Sequence, residues 1–311
     1  MKLPPLPSYQ KYREEFLSKG VSIPLRKVVT EKKGLLETLP KTHRVGWPWI
    51  EEVSIEDYES NVNWPKISVI SPSFNQGKYF EETIRSVLLQ NYPNLEYIII
   101  DGESKDETVD ILNKYSPWIS YWECEKDRGQ SHAINKGFSL ASGKLYCWIN
   151  SDDYFTKGAF KQAAITFLKS KAQFLYGNCN NLKDGKFSIH HTPIVFDRYL
   201  YMPGVAQPSV FWDSDIHQPL WEELHCTLDF ELWMRIAKGA RKKYIDKVLS
   251  VAREHAEAKT HTKDEKLRIR WQEDQDRQWE IYGPMPWERL NKESQLVRKI
   301  FKTFPVLKKL F

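Results

Sequence analysis

From Lys66 onward the chain alternates short apolar runs with segments of helical period, and this alternation limits the fold more than any other feature of the sequence. Ile67-Ser-Val-Ile70 is a β-branched run ended by Ser71-Pro72. Beyond the Asn75-Gln76-Gly77 turn, Phe80, Ile84, Val87 and Leu88 recur at i, i+4, i+7 and i+8, which predicts a helix. Pro93 closes that helix, and Tyr97-Ile-Ile-Ile100 follows as a continuously apolar run, the pattern of a parallel strand covered on both faces. Ser104-Lys-Asp-Glu107 has capping-box spacing, so Asp101-Gly102-Glu103 is expected as a loop ahead of a helix carrying Val109, Leu112 and Tyr115. Ile119–Trp122 reads as a third, weaker strand. Ala133, Ile134, Gly137, Phe138 and Ala141 keep helical spacing up to Ser142-Gly143, and Leu145–Ile149 is the fourth strand. A further helix carries Phe160, Ala163, Ala164, Phe167 and Leu168, then Phe174–Tyr176 reads as a strand and Asp184-Gly185 as a hairpin turn.

Three βα units in series predict an α/β chain with a doubly wound, mostly parallel sheet, whose ligands gather outside the carboxyl ends of the strands. Residues 1–65, rich in Pro, Lys and Glu without sustained periodicity, read as an extension that packs on a core at 66–255, and 256–311 as a C-terminal helical region. With 41% hydrophobic residues and twelve tryptophans there is enough apolar mass for a large core. The net charge of +5 suits a polyanionic ligand or an anionic surface and does not single out nucleic acid, which is not expected as a partner. The four cysteines, Cys124, Cys147, Cys179 and Cys226, form no C-x-x-C pair, which argues against a zinc knuckle or disulfide framework and for a reducing, cytoplasmic setting. MKLPPLPSYQKYREEF has no apolar h-region, and no run approaches the ~18 apolar residues needed to span a bilayer, so neither a standard export signal nor a membrane span is expected.

The chemistry should lie in the loops after the first four strands: Ser73-Phe74-Asn75, Asp101-Gly102, Asp127-Arg128-Gly129-Gln130 and Ser151-Asp152-Asp153. They are acidic where a bare phosphate site would be basic, and neither G-x-G-x-x-G nor G-x-x-x-x-G-K-[ST] occurs. A divalent cation resolves the conflict, since one or two carboxylates plus substrate phosphates are the usual way to hold Mg²⁺ or Mn²⁺. Read alone, Ser151-Asp152-Asp153 is equally a solvated turn after a strand.

Taken in order, these segments resemble the inverting glycosyltransferases of family two. Ile67–Asn75 is similar to their first strand and nucleotide loop, IIIDGESKDET (98–108) to a D-x-x-S-x-D-x-T segment, DRGQSHAINKG (127–137) to D-x-G-x-x-x-A-x-N-x-G, and Ser151-Asp152-Asp153 to a D-x-D-type metal motif. The resemblance implies the GT-A fold, a Rossmann-like, mostly parallel sheet with helices on both faces, here with an N-terminal extension and a C-terminal helical tail. It implies a nucleotide-diphosphate sugar as donor, with UDP as the first expectation, Mn²⁺ or Mg²⁺ as cofactor, and a glycan or lipid-linked glycan as acceptor in surface polysaccharide synthesis. On this likeness Ser73, Phe74, Asn75 and Asp101 face the nucleoside base, Asp127 and Arg128 close over ribose or uracil, Asp152 contacts ribose or metal-bound water, and Asp153 is the direct metal ligand. One departure stands out: Gly102 follows Asp101 where many members have a second acid.

For the catalytic base, relatives offer E-D-x-x-L-W-x-R; here Leu228-Asp229-Phe230-Glu231-Leu232-Trp233-Met234-Arg235 matches with Leu228 in place of the first acid, which makes Asp229 the candidate and Glu231 the fallback. Helix capping is the alternative role for Asp229. Gln207 in QPSVF lines the acceptor side by resemblance, or is a strand residue with a backbone partner. Arg253-Glu254-His255, with Lys259 and Thr260, resembles the R-x-H segment after the last core strand, where His255 is a third metal ligand or a phosphate contact, or is simply packed. Trp212 and Trp221 could stack on sugars, although most tryptophans belong in the core. The end of the chain, VRKIFKTFPVLKKLF, is basic and amphipathic, as a peripheral membrane segment at the inner face of a membrane requires, and equally suits a tail docking on the domain; Pro305 interrupts it. Two other readings remain. A nucleotide-sugar pyrophosphorylase needs a glycine-rich signature and a lysine that SPSFNQGKY does not supply, and a non-catalytic nucleotide-sugar-binding protein would be favoured had Asp153 or Asp229 been absent.

Overall fold

Continuous apolar runs become central strands here because helices can cover both of their faces. The structure, a computed structural model, describes residues 3–29, 33–190, 205–259 and 265–283, with Asp197 and scattered positions beyond 291. Helix α1 (Tyr9–Ser18) is followed by β1 (Ile67–Ser73), α2 (Gly77–Leu88), β2 (Leu95–Asp101), α3 (Thr108–Tyr115), β3 (Tyr121–Cys124), α4 (Gln130–Leu140) and β4 (Leu145–Trp148). Then come β5 (Tyr154–Phe155), α5 (Ala159–Ser170), β6 (Phe174–Lys183), β7 (Lys186–His190), β8 (Val210–Asp213), α6 (Leu228–Ile236), β9 (Lys242–Glu254) and α7 (Glu265–Tyr282). The strands make one sheet in the order β3-β2-β1-β4-β8-β6-β9-β5, with β7 pairing beside β6. The expected parallel sheet is its first half, β3 to β4; beyond β4 the strands run both ways, with β8 antiparallel to both neighbours and β6 parallel to β9.

This order fixes where a ligand can lie. The chain steps outward from β1 to β2 to β3, then returns over them through α4 to reach β4 on the other side of β1. Since parallel crossovers are right-handed, α2 and α3 cover one face and α4 the other, and a crevice opens between the ends of β1 and β4. Gly137 lets α4 approach closely: a Cβ there would lie 2.5 Å from Cγ2 of Ile70 on β1.

Two local expectations are corrected. β1 continues through Pro72 to Ser73 instead of ending at Ser71-Pro72. The Ile70 carbonyl accepts from Ile149 and the Ser73 carbonyl from Gly102, so by alternation Pro72 faces the β4 side, past the end of that strand, and its missing N–H costs no ladder bond. Ser104 and Glu107 form no capping box. The Ser104 hydroxyl is held by Asp101, α3 starts only at Thr108, and Asp106 serves instead, its carboxylate accepting from Thr108 N (3.1 Å) and from Gly77 N (2.9 Å) at the head of α2. The Asp184-Gly185 turn does join β6 to β7, both residues having positive φ as a two-residue hairpin requires.

The N-terminal extension shares the core: Tyr12, Phe16, Leu35, Leu39, Val53, Tyr58 and Trp64 are buried in the same cluster as the sheet. Arg85 of α2 fastens it, its buried guanidinium donating to the carbonyls of Pro40, Pro48 and Trp49 at 2.9–3.1 Å. Among the described residues no helix is long and apolar enough to cross a membrane. Most of the basic amphipathic end, including Phe301, Phe304, Pro305 and Lys308, lies outside the described residues.

Candidate active site

Because β1 and β2 are in register from Ile67 with Leu95 to Ser73 with Asp101, their loops emerge side by side. Asp101 is fully buried, its oxygens accepting from Ser104 N (2.8 Å) and Ser104 Oγ (2.6 Å). Ser104 Oγ in turn accepts from Asn75 N (2.7 Å), and Asn75 Oδ1 accepts from Lys105 N (2.8 Å). Asn75, at φ 51°, and Asp101 thus tie the two loops to each other through the Asn75 backbone N–H and Oδ1 and both oxygens of Asp101, while the Asn75 side chain stays exposed. Beside them lie the exposed ring of Phe74 and the Ser73 hydroxyl, which is buried and without a hydrogen-bond partner among the described residues. An orphaned buried hydroxyl at the end of a central strand is a site for a ligand's polar atom.

Asp127 reaches the same place from the β3–α4 loop. Its Oδ1 accepts from Gly129 N at 2.7 Å, and burial raises its pKa above the usual carboxylate range. The missing second acid now has a reason: a Cβ at Gly102 would stand 2.8 Å from Asp127 Oδ2, so the glycine makes room for this carboxylate. Arg128 does not join it. Its guanidinium donates to Glu222 (2.7 Å) and Tyr12 Oη (2.9 Å), turned toward α1, because a carboxylate of the β8–α6 segment and a tyrosine of the extension meet it there. Neither partner can be found from the local pattern of the motif.

At the end of β4, Asp152 and Asp153 are gripped by β9. Arg253 N donates to Asp153 Oδ1 (2.9 Å), the Arg253 guanidinium donates to the Asp152 carbonyl and pairs with Glu82 (2.8 Å), and His255 Nε2 lies 3.1 Å from Asp152 Oδ2. The register shifts of β9 around Gly177 and Asn178 bring this strand end there. Burial, and then the charge of Asp152, push the Asp153 carboxyl well above its ordinary range, while the bond to Asp152 raises His255. The three-ligand set of Asp152, Asp153 and His255 is not realised as a protein cage: among the described residues no three His, Cys, Asp or Glu side chains converge as metal ligands, since Asp153 is drawn to Arg253 N and His255 is shared by Asp152 and Glu257. The donors still fit a dication. Burial and the neighbouring charge of Asp152 outweigh the cations of Arg253 and His255 at Asp153, so a further cation, taking its remaining ligands from phosphate and water, would favour the ionised pair.

The other half of the site is α6. Asp229 lies in its first turn, half-buried, and burial pushes its carboxyl up to about 6. Glu231, the fallback base, is excluded by its bonds: it is fully buried, bidentate to Arg235 (2.6 and 2.8 Å) and accepts from Tyr282 Oη. Trp233 of α6 stacks on Trp148, the last residue of β4, with ring centroids 5.3 Å apart, and Trp212 meets both edge-on. One aromatic stack therefore fixes the helix of Asp229 against β4, whose following loop carries Asp153. Trp212 and Trp221 are accordingly core residues. Gln207 donates to the Trp148 carbonyl (2.8 Å), leaving its buried Oε1 unpartnered.

Asp274 of α7 gave no signal in the sequence, being an acid in a charged helix. It is fully buried and accepts from His225 N, Cys226 N, Thr227 N and Thr227 Oγ1, the segment from which α6 starts.

A family model described as glycosyl transferase family 2 matches residues 68–230. The chain is 29% identical over 177 residues to the UDP-Glc:alpha-D-GlcNAc-diphosphoundecaprenol beta-1,3-glucosyltransferase WfgD of Escherichia coli, covering 55% of this chain and 70% of that one. Among solved structures, S. aureus TarS 1–349 in complex with UDP-GlcNAc superposes with a TM-score of 0.55 at 21% identity, over 70% of this chain and 67% of that one. The mannosyltransferase PcManGT of Pyrobaculum calidifontis, in complex with GDP-Man and Mn²⁺, gives 0.51 at 15% identity, over 85% and 67%. At these identities the structural likeness shows the fold. The chain spans only 30% and 41% of the length of two further curated relatives.

Proposed function

The chain belongs to glycosyl transferase family 2, and from that premise we propose that it transfers a sugar from a nucleotide-diphosphate sugar, UDP-linked in the first instance, to an acceptor hydroxyl with inversion at the anomeric carbon. The observation that carries this is the Trp148–Trp233 stack, which holds the acidic pair after β4 and Asp229 at the head of α6 in one rigid unit. The nucleotide rests against Phe74, Ser73 and Asp127, with Asp101 as the brace behind them. Asp153, with Asp152 and His255 beside it, would hold Mn²⁺ or Mg²⁺, which supplies Lewis-acid charge to the diphosphate. Asp229 takes the proton of the acceptor hydroxyl as its oxygen attacks, and a carboxyl that titrates near 6 is ionised yet basic enough for this near neutral pH. Two features of relatives support the wider reading: WfgD is named for a UDP-sugar and a diphosphoundecaprenol-linked acceptor, and PcManGT was solved with Mn²⁺. We therefore place the reaction in surface polysaccharide or glycan assembly on the cytoplasmic side, with the C-terminal tail as a peripheral membrane contact.

The test is a panel of UDP- and GDP-sugars with Mn²⁺ and glycan or polyprenyl-diphosphate-linked acceptors. Acceptor-dependent release of nucleoside diphosphate, abolished in Asp153→Ala, is the expected result. Release of pyrophosphate from sugar phosphate and nucleoside triphosphate, or no turnover of any donor, overturns the proposal.

A further inference from the structure

We propose that Lys259 is a catalytic residue, the protein's own cation for the departing diphosphate, donating a hydrogen bond to the β-phosphate oxygen that leaves the sugar. This inference rests on the donor assigned above. It begins with an inventory of positive charge around the crevice. Arg128 is paired with Glu222, Arg253 with Glu82, and His255 is shared by Asp152 and Glu257. Lys259 has no carboxylate partner among the described residues. Its ammonium donates to two neutral oxygens, Gln130 Oε1 at 2.6 Å and the His225 carbonyl at 3.2 Å, and a third N–H remains.

Those two partners locate the charge. Gln130 opens α4, directly after Asp127-Arg128-Gly129, and its own amide donates to Asn150 Oδ1 (2.8 Å), two residues before Asp152. His225 precedes α6, and its N–H is fixed by Asp274. Lys259 therefore bridges the nucleotide loop, the end of the metal-binding strand and the lead-in to the base helix, and its charge acts on both Asp127 and Asp152. With the nucleoside at Asp127 and the metal beside Asp152, as proposed above, the diphosphate lies between two carboxylates that the charge of Lys259 reaches. The position is also built: Trp271 Nε1 of α7 donates to the Lys259 carbonyl at 3.3 Å. Although Lys259 opens to solvent as a residue, enough protein surrounds its ammonium to hold its pKa below the usual lysine range, a cost that an adjacent anion removes.

In the transfer, the acceptor oxygen bonds to the anomeric carbon and the bond from that carbon to the diphosphate oxygen breaks. The electron pair goes to the β-phosphate, where Lys259 donates, and the acceptor's proton goes to Asp229. No other reactant is needed.

Calorimetric titration of the whole chain with uridine, UMP and UDP, and with the guanosine series, each with Mn²⁺ and with EDTA, tests this. Wild type should bind a diphosphate more tightly than its nucleoside. Lys259→Ala should weaken the diphosphate about tenfold or more, as expected for a lost charge-assisted hydrogen bond, without changing nucleoside affinity, and Lys259→Arg should restore most of the loss. A diphosphate bound equally by wild type and Lys259→Ala, or equal losses for nucleoside and diphosphate, overturns the role of Lys259 and leaves the glycosyl-transfer reading standing. A wild type that binds no nucleoside diphosphate overturns both.

Discussion

Asp229→Asn should do two things in opposite directions. General-base help is worth ~10²–10⁴-fold, so kcat should fall by at least two orders of magnitude while donor affinity holds. Stability should rise, but only above a certain pH. The folded carboxyl titrates near 6 against an ordinary 3.8, a gap of about two pH units. Below pH ~4 the group is protonated in folded and unfolded chains alike and contributes nothing. Between 4 and 6 only the unfolded chain releases the proton, so the fold loses stability as pH rises, and above ~6 the whole penalty is present. Two pH units correspond to about 3 kcal/mol, an upper bound because Asp229 keeps some open surface. Asparagine cannot ionise, so at pH 8 the variant should melt a few degrees above wild type, and at pH 4 the two should coincide. Differential scanning calorimetry at both pH values, with initial rates from pH 5 to 8.5, measures this; the wild-type rate should fall tenfold per pH unit below ~6. A variant that is inactive and also less stable at pH 8 would refute the claim that burial of a functional carboxylate, rather than capping of α6, explains Asp229.

Four further outcomes are expected. Gly137→Ala should destabilise by about 1–3 kcal/mol in urea unfolding, because the added methyl would sit 2.5 Å from Ile70 Cγ2 between a buried helix and strand. Asp274→Ala leaves the N–H groups of His225, Cys226 and Thr227 without their acceptor and should cost ~2 kcal/mol or more, with a drop in kcat as the start of α6 loosens. Gly102→Asp should weaken UDP binding in calorimetry, since its Cβ enters within 2.8 Å of Asp127 Oδ2 and like charges then meet. Liposome flotation with anionic vesicles should retain the full chain and lose a variant lacking residues 296–311; equal flotation removes the peripheral-membrane reading.

Most of the first half of the sheet was legible in the sequence because β1, β2 and β4 each carry a short apolar or β-branched run between turn signals, and the helices between them bury a face of regular period. The second half was less so. β8 is only four residues long, β5 is two, and β9 starts half-buried without alternation, so their places depend on partners distant in sequence. At the site, spacing singled out the loop acids as candidates, but not which of them keeps a free oxygen. Spacing cannot tell that Ser104 turns back to Asp101 rather than capping α3, or that Tyr12, 116 residues away, takes Arg128. Lys259 and Asp274 lie among many lysines and acids, and only contact distances separate them from solvated charges.

Those contacts divide the work among carboxylates that the sequence presents as equals. Asp101 is spent on Ser104, so it stiffens two loops, while beside it Phe74 is exposed and the Ser73 hydroxyl has no partner among the described residues; on the proposed reading these meet the base. Asp127 keeps one oxygen on Gly129 N and turns the other over Gly102, where a side chain would displace it. Asp153 is raised by burial and then by the charge of Asp152, beyond what Arg253 and His255 offset, so an added cation would favour its ionised form. Asp229 is raised by burial, with no neighbouring acid among the causes, and can carry a proton without a metal's help. On the proposed reading, recognition, charge neutralisation and proton transfer fall to different acids because their hydrogen-bond partners differ, and a change beside one of them, as in Gly102→Asp, should alter one of these functions before the others.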